Sequence, residues 1–101
     1  MAVEKVTSAN FESFISDNTP VVIDFYADWC GPCRMLAPVV EALAQEGIAK
    51  VGKVNVDEES ALAARFGVSS IPFVAAFRGG ELTATSLGYV TLAQLKAKLG
   101  L

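Results

Sequence analysis

The two cysteines of the chain, Cys30 and Cys33, stand inside "DWCGPCR" with only Gly31 and Pro32 between them. Thiols at this spacing can close a structural staple, supply part of a metal site, or exchange with other thiols and disulfides. Residues three apart at a helix start reach the Cα separation a disulfide needs, but so short a loop is worth only about 2 kcal/mol in the chain-entropy account. A structural zinc site takes about four ligands. This pair offers two, and with no histidine in the chain the rest would have to be carboxylates or come from a second subunit. The redox reading draws on context. A run of strand formers, "VVIDFYA", leads into the motif and a helical pattern leads out. Cys30 therefore falls at or just before a helix N-terminus, where unpaired N–H groups and about half a positive charge of dipole favour a thiolate. Cys33 falls one turn inside, where it is shielded and less acidic. That asymmetry suits exchange: an accessible thiolate attacks a disulfide, and a second thiol displaces the mixed disulfide.

The absence of histidine also removes Ser/His and Cys/His nucleophile pairs and imidazole acid–base chemistry. Cysteine, carboxylate, lysine and backbone groups remain. Asp24 is the one charge within 21–27. If that strand is covered on both faces, the carboxylate is costly to bury and its pKa is raised; the alternative is an aspartate that faces water. Trp29 directly precedes Cys30. It is either a core residue or, beside a reactive sulfur, an amphipathic part of a docking surface.

Elements that alternate between strand and helix patterns must carry these groups. "VEKV" (3–6) reads as an edge strand, and Ser8 can cap a helix over 9–17 with Phe11, Phe14 and Ile15 at helical spacing. Residues 21–27 read as a central strand. The helix after the cysteines carries Leu36, Val39, Val40 and Leu43 on one face and ends at Gly47, with Pro38 inside it withholding a donor. A strand at 50–56 follows, then a helix that Asp57 can cap, with Glu58 and Glu59 in its first turn and Gly67 at its close. "IPFVAAF" and "ELTATSL" read as strands joined by Arg78-Gly79-Gly80. Thr91 and Gln94 fit a capping box on a last helix with Leu92, Leu95 and Leu99 inward. The order β-α-β-α-β-α-β-β-α implies an α/β fold, a mixed sheet with helices on both faces.

Length and charge bound the rest. The 101 residues suit one domain, 1–101, and 52% apolar composition supports a core without disulfide scaffolding. A net charge of −3 argues against nucleic acid as a partner. No apolar run approaches the roughly 18–20 residues of a membrane span, and no signal-peptide pattern opens the chain, so the expectation is a cytoplasmic protein without a membrane partner.

"FYADWCGPCR", "KVNVDE", "FGVSSIPF", "FRGGE" and "SLGY" occur in the order and spacing of the thioredoxin family, and the resemblance spans essentially the whole chain. It implies a thioredoxin fold and a monomeric general protein-disulfide reductase, with Cys30 attacking and Cys33 resolving. It further implies no bound cofactor, a Cys30–Cys33 disulfide reduced by an NADPH-dependent flavoprotein (thioredoxin reductase), and disulfide-containing client proteins. Asp24 would assist proton transfer at Cys33, with Lys53 nearby, although strand alternation leaves open which way Lys53 points. Ile71-Pro72 would form a cis-proline loop whose backbone pairs with substrate. Trp29, Gly31, Pro32, Ile71, Pro72 and Gly88 would make a flat apolar patch. Three residues depart from the usual pattern: Tyr26 for tryptophan, Arg34 for lysine, and Phe73 for threonine. The last bears on partner preference if its ring lies beside the substrate groove. An oxidase or isomerase of the same fold, and a redox-inactive binding module, stay open as rival readings.

Overall fold

The central strand β2 (Val21–Tyr26) is buried on both faces because its neighbours on either side carry helices over it. A computed structural model describes residues 2–101. In chain order the elements are β1 (Glu4–Lys5), α1 (Phe11–Ile15), β2, α2 (Gly31–Gln45), β3 (Lys50–Asn55), α3 (Ser60–Arg65), β4 (Phe73–Arg78), β5 (Glu81–Leu87) and α4 (Leu92–Leu99). The strands lie in the order β1-β3-β2-β4-β5. β3 runs parallel to both β1 and β2, whereas β4 is antiparallel to β2 and β5. This is the mixed sheet that the alternation of patterns implied.

Period-two alternation sorts the core into two layers. On one face Val22, Val51, Val74 and Ala76 pack against Leu36, Val40 and Leu43 of α2 and Leu95 and Leu99 of α4. On the other, Val21, Ile23, Phe25, Val54 and Phe77 pack against Phe11, Phe14 and Ile15 of α1 and Leu62 of α3. Gly52 permits the second layer to close. A Cβ there would lie 2.6 Å from Val6 Cγ2 and 2.9 Å from the Phe14 ring, so any side chain would push α1 and the strand-β1 segment away from β3.

Capping explains where α4 starts. Thr91 accepts the Gln94 N–H at 3.2 Å and Gln94 Oε1 accepts the Thr91 N–H at 3.0 Å, the capping box read from the sequence. Gly47 follows α2 with φ +71°, its N–H bonded to Ala44 O. Gly79 and Gly80 both take positive φ between the paired residues Arg78 and Glu81, as a two-residue hairpin turn demands. Two expected caps are corrected. Ser8 does not start α1; Asn10 Oδ1 accepts the Thr7 N–H at 2.7 Å, holding residues 7–10 in a turn, so the helix begins at Phe11 and ends at Ile15 rather than running 9–17. Asp57 does not cap α3, which begins at Ser60 after Glu59, and Glu58 and Glu59 precede the helix instead of filling its first turn. Asn55 Oδ1 organises that bend, accepting the Asp57 N–H at 2.9 Å and the Glu58 N–H at 3.4 Å.

Candidate active site

β2 delivers the chain to one end of the sheet, where residues 27–29 turn it into α2. Cys30 is the N-cap of that helix, with extended backbone at φ −88° and ψ 111°. Its Sγ accepts the Cys33 N–H at 3.2 Å, and its carbonyl accepts the Arg34 N–H at 3.1 Å. Pro32 sits in the first turn, where its missing N–H has no intrahelical partner to lose. Gly31 shares that turn; a Cβ there would make only ordinary contact with Arg34 Nη2 at 3.9 Å, so its own chain does not demand a glycine. The Cα atoms of Cys30 and Cys33 are 5.2 Å apart and the two sulfurs form a disulfide.

The expected contrast between an accessible Cys30 and a shielded Cys33 is corrected in this oxidised state. Cys30 is 5% exposed and Cys33 3%, both covered with Ala27 by Tyr26, Val56 and Ile71. The two sulfurs differ in surroundings instead. Cys30 Sγ sits at the helix N-cap, 3.9 Å from the Ile71 carbonyl oxygen. Cys33 lines a cavity of about 220 Å³ together with Asp24, Tyr26, Asp28, Arg34 and Lys53.

Asp24 projects into this cavity from the middle of β2. It is 5% exposed, and its Oδ1 has no hydrogen-bond partner. Burial pushes the carboxyl pKa from 3.8 up to about 7, with Lys53 pulling it partly back. The water-facing alternative for Asp24 therefore fails. Lys53 stands directly across the parallel β2–β3 ladder from Asp24. Val22 and Val51, two residues back on each strand, belong to the layer under α2, which settles the direction in which Lys53 leaves the sheet.

The remaining sequence candidates gather at the same end. Trp29 is 69% exposed, which removes the core reading, and its Nε1–H donates to Asp57 Oδ2 at 2.9 Å. The Ile71–Pro72 peptide bond is cis. Ile71 is half-buried beside the cysteines, while Pro72 is buried. Gly88, at φ +83°, donates its N–H to the Pro72 carbonyl at 2.8 Å and ties β5 to that loop. Phe73, by contrast, turns inward. It shares a strand face with Ala75 and Phe77, packs half-buried on the α1/α3 layer, and its ring lies 6.1 Å from that of Phe25. The groove placement expected for it is corrected by strand alternation.

Sequence reasoning missed Asp57 as the partner of Trp29, Val56 beside the sulfurs, and Tyr26 in the cavity. Only the Asx turn in "NVDE" offered a local signal, and it marks Asn55 rather than the contact of Asp57. Among the described residues no group of three or more cysteines or carboxylates is arranged to hold a metal ion, and no helix is long and apolar enough to cross a membrane.

Comparison with known proteins places this geometry. The thioredoxin family model matches residues 2–100. A thioredoxin of Porphyra purpurea is 43% identical over 102 residues, covering 98% of this chain and 95% of its own. One from Alicyclobacillus acidocaldarius is 44% identical over 100 residues, with 97% and 95% covered. Among solved structures, a mutant thioredoxin from Halobacterium salinarum superposes with a TM-score of 0.89 at 39% identity, over 99% of this chain and 93% of that one.

Proposed function

The chain belongs to the thioredoxin family and is a thiol–disulfide oxidoreductase of the protein-disulfide reductase kind, and on that footing we propose that Cys30 is its attacking thiolate and Cys33 its resolving thiol. One observation carries the assignment: Cys30 Sγ occupies the N-cap of α2 and accepts a backbone N–H, a place that favours negative charge, while Cys33 lies within the first turn. The reduced Cys30 thiolate attacks one sulfur of a client disulfide, a Cys30–client bond forms, and the other client sulfur leaves as a thiolate. The Cys33 thiol gives its proton to the Asp24 carboxylate across the shared cavity and attacks Cys30 Sγ. The first client sulfur then departs, the Cys30–Cys33 disulfide closes, and the client has gained two electrons. A carboxyl with a pKa near 7 is matched to that transfer, because it accepts a proton without holding it too firmly at neutral pH.

Trp29, Ile71 and Gly88 form the client-facing surface in this reading, with buried Pro72 setting the backbone of that loop, Gly31 and Pro32 shaping the first turn and Lys53 balancing Asp24. Little side-chain chemistry is offered there for discrimination, which suits a reductase with many clients. The disulfide is itself the redox group, with no bound cofactor, and is returned to the dithiol by an NADPH-dependent flavoprotein, thioredoxin reductase. Residues 1–101 act as a single domain and a monomer, in the cytoplasm, with neither nucleic acid nor membrane as partner.

Mass spectrometry of the two serine variants after exposure to a disulfide-bearing protein tests the roles. Cys30→Ser abolishes disulfide reduction and forms no adduct, whereas Cys33→Ser accumulates a mixed disulfide on Cys30. Stable adducts on Cys33 in Cys30→Ser, with none on Cys30 in Cys33→Ser, reverse the assignment. Unchanged biological activity of a variant lacking both thiols would identify a scaffold.

A further inference from the structure

We infer that Tyr26 is a positioning residue: its ring holds the Lys53 ammonium inside the cavity that Asp24 and Cys33 share. Tyr26 and Asp24 are two residues apart on β2, so their side chains leave the strand on the same face. The β2–β3 register sets Lys53 opposite Asp24, one step back from the ring. A lysine at the rim of a cavity ordinarily runs its stem outward and keeps its charge in water. Lys53 has an aromatic partner there. Its Nζ lies 5.6 Å from the centroid of the Tyr26 ring, within the roughly 6 Å reach of a cation–π contact, and the residue is half-buried. Among the described residues it forms no ion pair, although Asp24 faces it across the ladder. The aromatic face is therefore the group that engages the ammonium, and its position sets how strongly that charge acts on the carboxyl.

The other groups around Asp24 leave this control to one cation. From α2 come Cys33 and Arg34, but Arg34 Nη1–H donates to the Asp28 carbonyl at 2.8 Å and is tethered there. Asp28 lies past the end of β2 and lines the same cavity. From β4 the residue opposite Asp24 is apolar Val74, and α4 brings Leu95 and Leu99 to this face. Among the described residues Lys53 is thus the cation of this cavity without an ion pair or a carbonyl tether, and Tyr26 is what it rests on. Because burial alone pushes the Asp24 carboxyl up, a nearby ammonium brings the titration back toward neutrality, where the carboxylate can accept the Cys33 proton. The inference rests on the proton-accepting role proposed for Asp24, and the experiment separates the two.

The Asp24 carboxyl carbon is followed by NMR across pH in the oxidised protein, alongside the pH dependence of the resolving step. Removing the ring in Tyr26→Leu releases the ammonium to water and moves the Asp24 titration upward by roughly one pH unit, the scale expected when a nearby opposite charge is lost. Tyr26→Phe, which keeps the ring, leaves the titration in place. Tyr26→Trp, with a stronger cation–π face, moves it downward. Lys53→Met raises the titration as Tyr26→Leu does, and adding Tyr26→Leu to it produces no further change. The inference is overturned if Tyr26→Leu leaves Asp24 unmoved, or if its effect survives in the Lys53→Met background. Should Tyr26→Leu fail to fold, Tyr26→Trp decides, and an unchanged or raised titration there is equally fatal. An Asp24 titration that moves as described while the resolving step keeps its pH dependence upholds the ring's hold on Lys53 and refutes the proton role of Asp24.

Discussion

Asp24 costs the fold stability in order to be where it is. Its carboxyl titrates at about 7 in the folded chain against an ordinary 3.8, so the folded state holds the proton more tightly than the unfolded one. Below the lower value both states are protonated and nothing is lost. As pH rises from about 4 to 7 the unfolded chain releases its proton first, and stability falls by an amount that levels off above 7. A gap of that size corresponds to on the order of 4 kcal/mol. Asp24→Asn removes the titration, at the smaller cost of an amide whose hydrogen bonds are incompletely met. Urea melts should therefore show the variant gaining on the parent as pH rises from about 4 to 7, with most of the gain by about pH 6 and little more above about pH 7, and showing a slower resolving step. Equal pH dependence in the two proteins would show that the carboxyl is not charged at a cost within the fold. The oddity of Asp24 was legible in the sequence because a lone charge interrupts an apolar run. The contacts of Tyr26 and Asp57 were not, because each depends on a partner more than twenty-five residues away.

The strands were legible where alternation and punctuation agreed. β5 lies at 81–87 as its pattern predicts, and the Gly79-Gly80 turn before it has the positive φ pair that glycine supplies without steric cost. Helix starts were less legible. Thr7, Ser8 and Asn10 are all good capping residues, and the choice among them fell to a turn bond between Asn10 and Thr7 that composition does not rank. β4 shows what alternation can correct. It begins at Phe73, one residue after the cis-proline, so the ring belongs to the face of Ala75 and Phe77 and sits on Phe25. Phe73→Thr keeps strand propensity but strips that contact. The ring is only half-buried, so the expected loss is about 1–3 kcal/mol in denaturant melts, below the ~3–5 kcal/mol of a fully buried Phe→Ala. KM for protein disulfides and the redox potential should change little. A several-fold rise in KM at unaltered stability would return the ring to the groove.

At the scale of the molecule, the two helix layers divide labour. The layer under α1 and α3 holds Phe11, Phe14, Phe25 and Phe77, whereas the layer under α2 and α4 is built of smaller aliphatic residues and contains the cavity with Asp24 and Lys53. The fold class followed from element order, but which layer would be hollow did not, since that depends on how side chains from α2 fill the space above β2 and β3. Both loops that bear on the disulfide, 27–29 and 71–72, emerge at the same end of the sheet, and Trp29, at the end of the first, is exposed and hydrogen-bonded to Asp57. That indole is the only one in the chain, so tryptophan emission comes from a single point beside the sulfurs. A client seated over Cys30 must dry the ring, and the emission of trapped Cys33→Ser should move to shorter wavelength as the mixed disulfide accumulates. Emission that stays put while the adduct forms would mean that clients approach from the Ile71 side alone. The residue proposed for docking would thereby double as an optical label, and turnover could be followed without adding a dye.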